Sequence, residues 1–171
     1  MPFTDLLRVT VLLTGAEATA LAAIAAVAAN RDGDTRTLAV AAAWWAIALL
    51  VGFYLGRPSR AAGALRDTLA RARTATSLPS ESPGRIAFSR LWPIALTAIA
   101  AGALGVFFPG VAAIGAGYAL LVSLAWHSRE AAVLAIEQRD GVKFYVVPNS
   151  ALRPIQLVRS PGLRSDALRR A

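Results

Sequence analysis

The chain contains no cysteine and only one histidine among its 171 residues. Without cysteine it cannot form disulfides, thiolate metal sites or a cysteine nucleophile, and one histidine is too few for an ordinary zinc site. Charged residues make up only 16% of the chain, against an average of about 25% in soluble domains. Apolar residues reach 56%, above the usual range of about 45–50%. This composition predicts a membrane protein.

Four apolar segments approach or exceed the length that a helix needs to cross a bilayer. At about 1.5 Å per residue, about 20 residues span the hydrocarbon core. We predict an all-α transmembrane domain over residues 1–127, with four transmembrane helices that form two hairpins, at residues 6–29, 37–56, 91–108 and 111–127. The last two segments are short and meet at Pro109-Gly110, so a re-entrant hairpin that does not fully cross is the alternative.

Basic residues collect on one side of these predicted spans. Of the 18 lysines and arginines, sixteen fall on one side, namely Arg8 near the start of the first span, seven in the 57–90 loop and eight in the tail after residue 127. The other two fall in the loop between the first two spans. Cytoplasmic segments of membrane proteins carry this excess. We therefore predict a bacterial plasma (inner) membrane protein with both termini and the 57–90 loop in the cytoplasm. Because the charges avoid the apolar segments, we expect membrane lipids and not nucleic acid as the partners of this basic chain.

One carboxylate, Glu17, lies at the middle of the first span. Thr10, Thr14 and Glu17 occupy positions i, i+4 and i+7, and therefore share one helix face. An ionisable group at this depth costs about 2.5–3.5 kcal/mol and needs a partner. Glu17 is either a proton or substrate relay of a small transporter, or a neutral group that hydrogen-bonds Trp44, Trp45 or another subunit. Small four-helix multidrug transporters are similar to this chain in carrying a Glu in the first helix, but they lack its long second loop and its tail.

The 57–90 loop begins with a candidate surface helix from Ser59 to about Thr74. Its apolar residues recur at helical spacing, at Ala62, Leu65, Leu69 and Ala72. We predict that this face lies at the headgroup boundary while the arginines around it contact anionic lipid, namely Arg60, Arg66, Arg71 and Arg73. A solvated helical linker is the alternative.

Residues 128–171 form a basic tail, in which we predict a small cytoplasmic β-hairpin or meander. Asp140-Gly141 between two apolar runs is a strong hairpin signal, so the hairpin is placed at residues 131–147. Because residues 131–138 are also good helix formers, continuation of the fourth helix is the alternative. A third strand is predicted at residues 154–159, where apolar and polar side chains alternate.

Two or three short strands cannot bury a core by themselves. The apolar face of the predicted hairpin therefore needs the inner helix ends, the membrane surface or another protein. The side chains predicted to bind such a partner are Phe144, Tyr145, Val146, Ile155 and Leu157.

The tail sequence IEQRDGVKFYVVP, followed by RPIQLVRSPG, resembles uncharacterised small four-span inner-membrane proteins of high-GC bacteria. The resemblance covers the tail alone and implies no activity. No phosphate-binding loop, dinucleotide fingerprint, zinc-protease motif or nucleophile elbow occurs in the chain. We therefore expect no enzymatic activity, no cofactor and no metal.

These features favour a non-enzymatic accessory or assembly subunit of a larger membrane complex, whose partners are membrane lipids and other integral membrane subunits. Complexes that move lipids or cell-envelope precursors are the candidates. The alternatives are a small proton-coupled transporter that uses Glu17 and an anionic-lipid-binding membrane regulator.

Overall fold

The computed structural model describes residues 1–57, 63, 65, 68–70, 72–74, 82–151 and 153–161. In this part of the chain, four long helices are present: α1 (Phe3–Arg31), α2 (Thr35–Leu55), α3 (Pro83–Gly105) and α4 (Pro109–Asp140). Three short strands accompany them: β1 (Arg73–Thr74), β2 (Val142–Val146) and β3 (Leu157–Pro161). Each helix is long and apolar enough to cross a membrane. The predicted set of four candidate spans is confirmed, and the length argument for a re-entrant hairpin no longer applies.

Helix boundaries follow from local sequence. Asp34 caps α2, where its carboxylate accepts hydrogen bonds from the Thr37 backbone N–H at 3.1 Å and from the Thr37 hydroxyl. Pro83 and Pro109 occupy the first positions of α3 and α4. Proline is tolerated there because the N–H that it lacks would have no partner within the helix. Gly141 ends α4 with a φ of 64°, a left-handed conformation that glycine adopts without steric cost.

The continuation of α4 to Asp140 shows that the hairpin predicted at residues 131–147 is wrong. Residues 131–138 are helical, which confirms the alternative that the fourth helix continues through them. Gly141 serves as a helix cap and not as part of a two-residue β-turn. An Asp-Gly pair satisfies either geometry, because both require a positive φ at glycine. The strong helix formers before it favour the cap.

The sheet has the strand order β1-β3-β2. β2 runs antiparallel to β3, with Phe144 opposite Arg159, and β1 runs parallel to β3, with Arg73 opposite Val158. β3 overlaps the third strand predicted at residues 154–159 and ends two residues later. At the other edge of β2, the Val146 N–H donates to the Met1 carbonyl at 2.9 Å. The start of the chain therefore covers part of this edge.

The helices pack around α1 and α4, which share the most extensive interface of the bundle. α2 packs along α4, and α3 packs on both α1 and α4. One cluster of the bundle core is built mainly from small side chains that allow close approach, namely Leu21, Ala25, Ala41, Ala112, Ala113 and Ala116. We call the end of the bundle near the sheet the sheet end, and the end with the connections at residues 32–34 and 106–108 the hairpin end.

A second buried cluster joins the helices to the sheet, and we call it the sheet-end core. It draws on α1, α3, α4, β2, β3 and the segment before β1. Its members are Met1, Phe3, Leu6, Leu7, Leu65, Leu69, Ile86, Val133, Phe144, Val146 and Leu157. Burial of these large apolar side chains holds the sheet against the helix ends. The sheet therefore obtains its core from the helices, as such a small sheet requires.

Candidate functional site

The intramembrane polar stripe on α1 is divided between buried and half-buried positions. Thr10 and Thr14 are each 2% exposed, whereas Glu17 is half-buried. The Thr10 hydroxyl donates to the Leu6 carbonyl at 2.8 Å, and the Thr14 hydroxyl donates to the Thr10 carbonyl at 2.9 Å. Because each hydroxyl has one proton, neither threonine is left to donate to Glu17. The stripe is a helix face, but these three side chains do not form a hydrogen-bonded site.

The two tryptophans of α2 bind α4 and not Glu17. The Trp45 indole N–H donates to the Ala113 carbonyl at 2.9 Å, and the Trp44 indole N–H donates to the Ile114 carbonyl at 3.3 Å. An indole has a single donor, so the hypothesis that either ring hydrogen-bonds Glu17 is wrong. The physical reason is packing, since α2 lies along α4 and touches α1 little.

Glu17 also lacks the surroundings of a proton relay among the described residues. Glu17 does not line four cavities whose walls are formed by described residues. Within the same residues, no group of three or more His, Cys, Asp and Glu side chains lies close enough to hold a metal ion. Glu17 is therefore a single half-buried carboxyl on α1.

The tail residues predicted to bind a partner are covered largely by the chain itself. Phe144, Val146 and Leu157 are 3%, 0% and 4% exposed in the sheet-end core. Tyr145 and Ile155 are partly buried. Of the three covers expected for this apolar face, the structure provides the helix ends beside the sheet. The unmet apolar surface that argued for a partner at the sheet is therefore absent at these positions.

The predicted lipid-contacting arginines lie mostly beyond the structural description. Arg60, Arg66 and Arg71 fall outside the described residues, and only the backbone of Arg73 is described, in β1. The predicted surface helix to about Thr74 is therefore too long, because Arg73 and Thr74 pair with β3.

The apolar face of that predicted surface helix points into the protein at two positions. Leu65 and Leu69 are 5% and 9% exposed, and both pack in the sheet-end core. These two side chains pack against the protein itself and do not form the lipid-facing surface that was expected.

Glu137 is a sheet-end carboxyl that the sequence pattern misplaced. It was expected within a strand, but it lies on α4, and its Oε1 accepts a hydrogen bond from the Phe144 backbone N–H at 3.0 Å. Burial raises the pKa of Glu137 above its ordinary value of 4.5, and nearby Asp5 adds to the rise, whereas the Phe144 hydrogen bond and Lys143 oppose it. Glu137 therefore joins the end of α4 to the beginning of the sheet.

The stability of the sheet end is expected to depend on the charge of Glu137. Because its folded-state pKa is raised, this group stabilises the fold most below pH 4.5, and its contribution is lost as pH rises through the raised pKa. Glu137→Gln keeps an oxygen acceptor for Phe144 and carries no charge, so it should be at least as stable as the wild type at neutral pH. The difference between the two proteins should shrink at low pH, as measured by thermal unfolding in detergent between pH 4 and 8.

Glu137→Ala provides the matching control, because it removes the acceptor as well as the charge. This variant should be less stable than Glu137→Gln at every pH in the series. A constant difference between wild type and Glu137→Gln across the series would contradict the assigned role of the charge.

Arg90 is a second sheet-end group that sequence reasoning did not single out. It lies on α3, and its Nη1 donates to the Arg153 carbonyl at 2.8 Å. Its Nε and Nη2 are buried and have no hydrogen-bond acceptor among the described residues. The only sequence signal was its place directly before the third predicted span. Arg90 thereby anchors the segment that leads into β3.

The comparisons with known proteins give no family to which these features can be referred. The chain matches no protein-family model, no curated protein and no solved structure.

Proposed function

We propose that the protein is a non-enzymatic multi-pass protein of the bacterial inner membrane that acts as an accessory or assembly subunit of a larger membrane complex, with its sheet end in the cytoplasm. The observation that carries this proposal is the outward face of α3. Of the 23 residues in α3, only Ile86 and Gly105 are buried. Its other residues are partly buried or exposed, so the exposed side of α3 is available to another transmembrane helix.

Large apolar side chains form a stripe along this face. Phe88, Trp92, Leu96 and Ile99 recur at helical spacing and are 76%, 43%, 56% and 70% exposed. Lipid acyl chains can cover the part of the stripe that lies in the hydrocarbon core. Phe88 is different, because it precedes the apolar segment that starts at residue 91. An exposed phenyl ring at that level, on a helix that also carries Arg85 and Arg90, favours a protein surface as its cover.

The short connections at the hairpin end support the same proposal. Three residues join α1 to α2, and three join α3 to α4. Such small connections offer little surface for recognising a partner or cargo outside the membrane. Contacts with other subunits are therefore expected along the helices, and complexes that move lipids or cell-envelope precursors are candidates because their subunits meet within the bilayer.

A transporter that works through Glu17 has less support. A relay needs a water-accessible path, whereas one cluster of the bundle core is packed with alanines, including Ala25 and Ala116. The hydroxyls of Thr10 and Thr14 and the indoles of Trp44 and Trp45 donate to backbone carbonyls and not to Glu17.

Site-specific photo-crosslinking in intact cells tests the accessory-subunit proposal. A photoreactive residue at Leu96, on the α3 stripe, should give an adduct with a different membrane protein of defined mass. The matched control is Leu50 on α2, which is 72% exposed and should give lipid adducts. The adducts are separated by gel and identified by mass spectrometry.

Two outcomes would contradict the proposal. Lipid adducts alone at Leu96, with a protein that purifies as a monomer in mild detergent, would show that α3 faces only the bilayer. An adduct of twice the chain mass would show that α3 contacts a second copy and not a larger complex.

A further inference from the structure

A partly open cavity of about 280 Å³ lies at the sheet end. It is enclosed by α1, α4, the segment before β1 and the residues that lead into β3. Its wall is formed by Phe3, Leu7, Leu65, Thr68, Trp126, Arg129, Pro154 and Ile155. The volume is close to the lower limit of about 300 Å³ for ligand pockets, which suits one headgroup or part of a chain.

The wall divides into an apolar part and a cationic part. Phe3, Leu7 and Leu65 belong to the sheet-end core and are at most 5% exposed. Arg129 is the only charged side chain among the described residues of the wall. Its guanidinium carbon lies 5.0 Å from the centre of the Trp126 ring, a cation–π contact that leaves the N–H groups of the guanidinium edge available. An amphipathic ligand with one anionic group matches this division.

Arg129 carries a charge that the described part of the chain does not neutralise. The one ion pair formed there joins Arg139 to Asp140, so no described carboxylate pairs with Arg129. A guanidinium stays charged in proteins and binds phosphate with two parallel hydrogen bonds. The cavity therefore has a site for an anion and no internal anion to fill it among the described residues.

The depth of the cavity matches the headgroup region of a membrane. The apolar part of α4 ends at His127, directly after Trp126, and tryptophan side chains prefer the membrane–water interface. Arg129 lies two residues further along α4. A phosphate at Arg129 would therefore stand at headgroup level, with the apolar wall next to the acyl chain that leaves it.

A second arginine holds one wall of the cavity. Arg90 fixes the Arg153 carbonyl at 2.8 Å, immediately before Pro154 and Ile155 in the wall. Its remaining Nε and Nη2 groups are buried without an acceptor among the described residues. Arg90 is a positioning residue here, because it holds the backbone that leads into this wall.

We propose that this cavity binds one anionic phospholipid, whose phosphate accepts hydrogen bonds from Arg129 and whose acyl chain begins along the partly exposed Trp126 and Ile155. The site uses residues other than the loop arginines predicted from the sequence. It goes beyond the accessory-subunit function, because it assigns a ligand whatever complex the chain joins.

Lipid binding to the purified full-length chain in neutral detergent tests the proposal by native mass spectrometry. Dioleoylphosphatidylglycerol should bind with a stoichiometry of one, and dioleoylphosphatidylcholine should bind more weakly. Arg129→Gln should weaken phosphatidylglycerol binding about tenfold, the size expected for a lost charge-assisted hydrogen bond. Arg129→Lys keeps the charge and should retain most of the affinity.

Arg57 offers a matched control, because its guanidinium carbon also lies 5.0 Å over an aromatic ring, that of Tyr54, but outside this cavity. Arg57→Gln should leave the affinity within about twofold of the wild type. Equal losses in Arg57→Gln and Arg129→Gln would overturn the proposal by showing a general surface-charge effect, and so would no loss in Arg129→Gln. Inorganic phosphate that binds as tightly as the lipid would overturn it in favour of a free anion.

Discussion

Replacing Leu7 with alanine is expected to lower the free energy of unfolding by about 2–5 kcal/mol, the range measured for large-to-small substitutions in cores. The Leu7 side chain is 0% exposed in the sheet-end core. Its truncation leaves a cavity between α1 and the sheet that surrounding side chains cannot fill without moving. Thermal and denaturant unfolding in detergent measure the loss.

Leu12→Ala is the matched control for this substitution. Leu12 lies on the same helix, but its side chain is 65% exposed. The same change there should cost less than about 1 kcal/mol, because an exposed side chain makes few contacts that can be lost. Equal losses for the two variants would contradict the sheet-end core as the junction between bundle and sheet.

Only part of this arrangement could be predicted from the sequence. Hydropathy and length are local properties, so the four candidate spans could be predicted from them. The cover of the sheet depends on contacts between distant segments, since Met1 pairs with Val146 and Leu65 packs with residues of α1 and α4. The hydrophobic periodicity of one segment cannot predict a contact with a distant segment.

The end of α4 illustrates the same limit. The sequence allowed either a hairpin or a helix before Gly141, and both use glycine at a positive φ. The strong helix formers at residues 131–138 favour the helix, and β3 supplies the antiparallel partner of Val142–Val146.

The candidate sites divide in the same way. Trp44 and Trp45 each donate an indole N–H to a carbonyl of α4, because an indole N–H in apolar surroundings requires an acceptor. Their assignment to Glu17 was wrong, because it required knowing which helix lies beside α2. Arg129 and Arg90 were missed, because a lone arginine has no sequence pattern that reveals a cavity wall.

Gly117 on α4 lies directly against Trp44 on α2. Gly117→Ala is expected to lower the free energy of unfolding by about 1–3 kcal/mol, as overpacking does in a closely packed interior. A Cβ at Gly117 would overlap the Trp44 Nε1 and would lie 2.6 Å from the Trp44 Cδ1. The indole is held there by its bond to the Ile114 carbonyl and by an edge-on contact with Tyr118, whose ring centre is 5.4 Å away.

The sign of this effect separates packing from helix propensity. Alanine is favoured over glycine within a helix by about 1 kcal/mol, so without the indole the substitution would stabilise α4. Gly110→Ala on the same helix meets nothing within 4 Å, and it should be neutral or stabilising. In a Trp44→Ala background the loss caused by Gly117→Ala should disappear, which unfolding of the single and double variants measures as a coupling energy. If Gly117→Ala costs the same with and without the indole, Trp44 is not what requires glycine at this position.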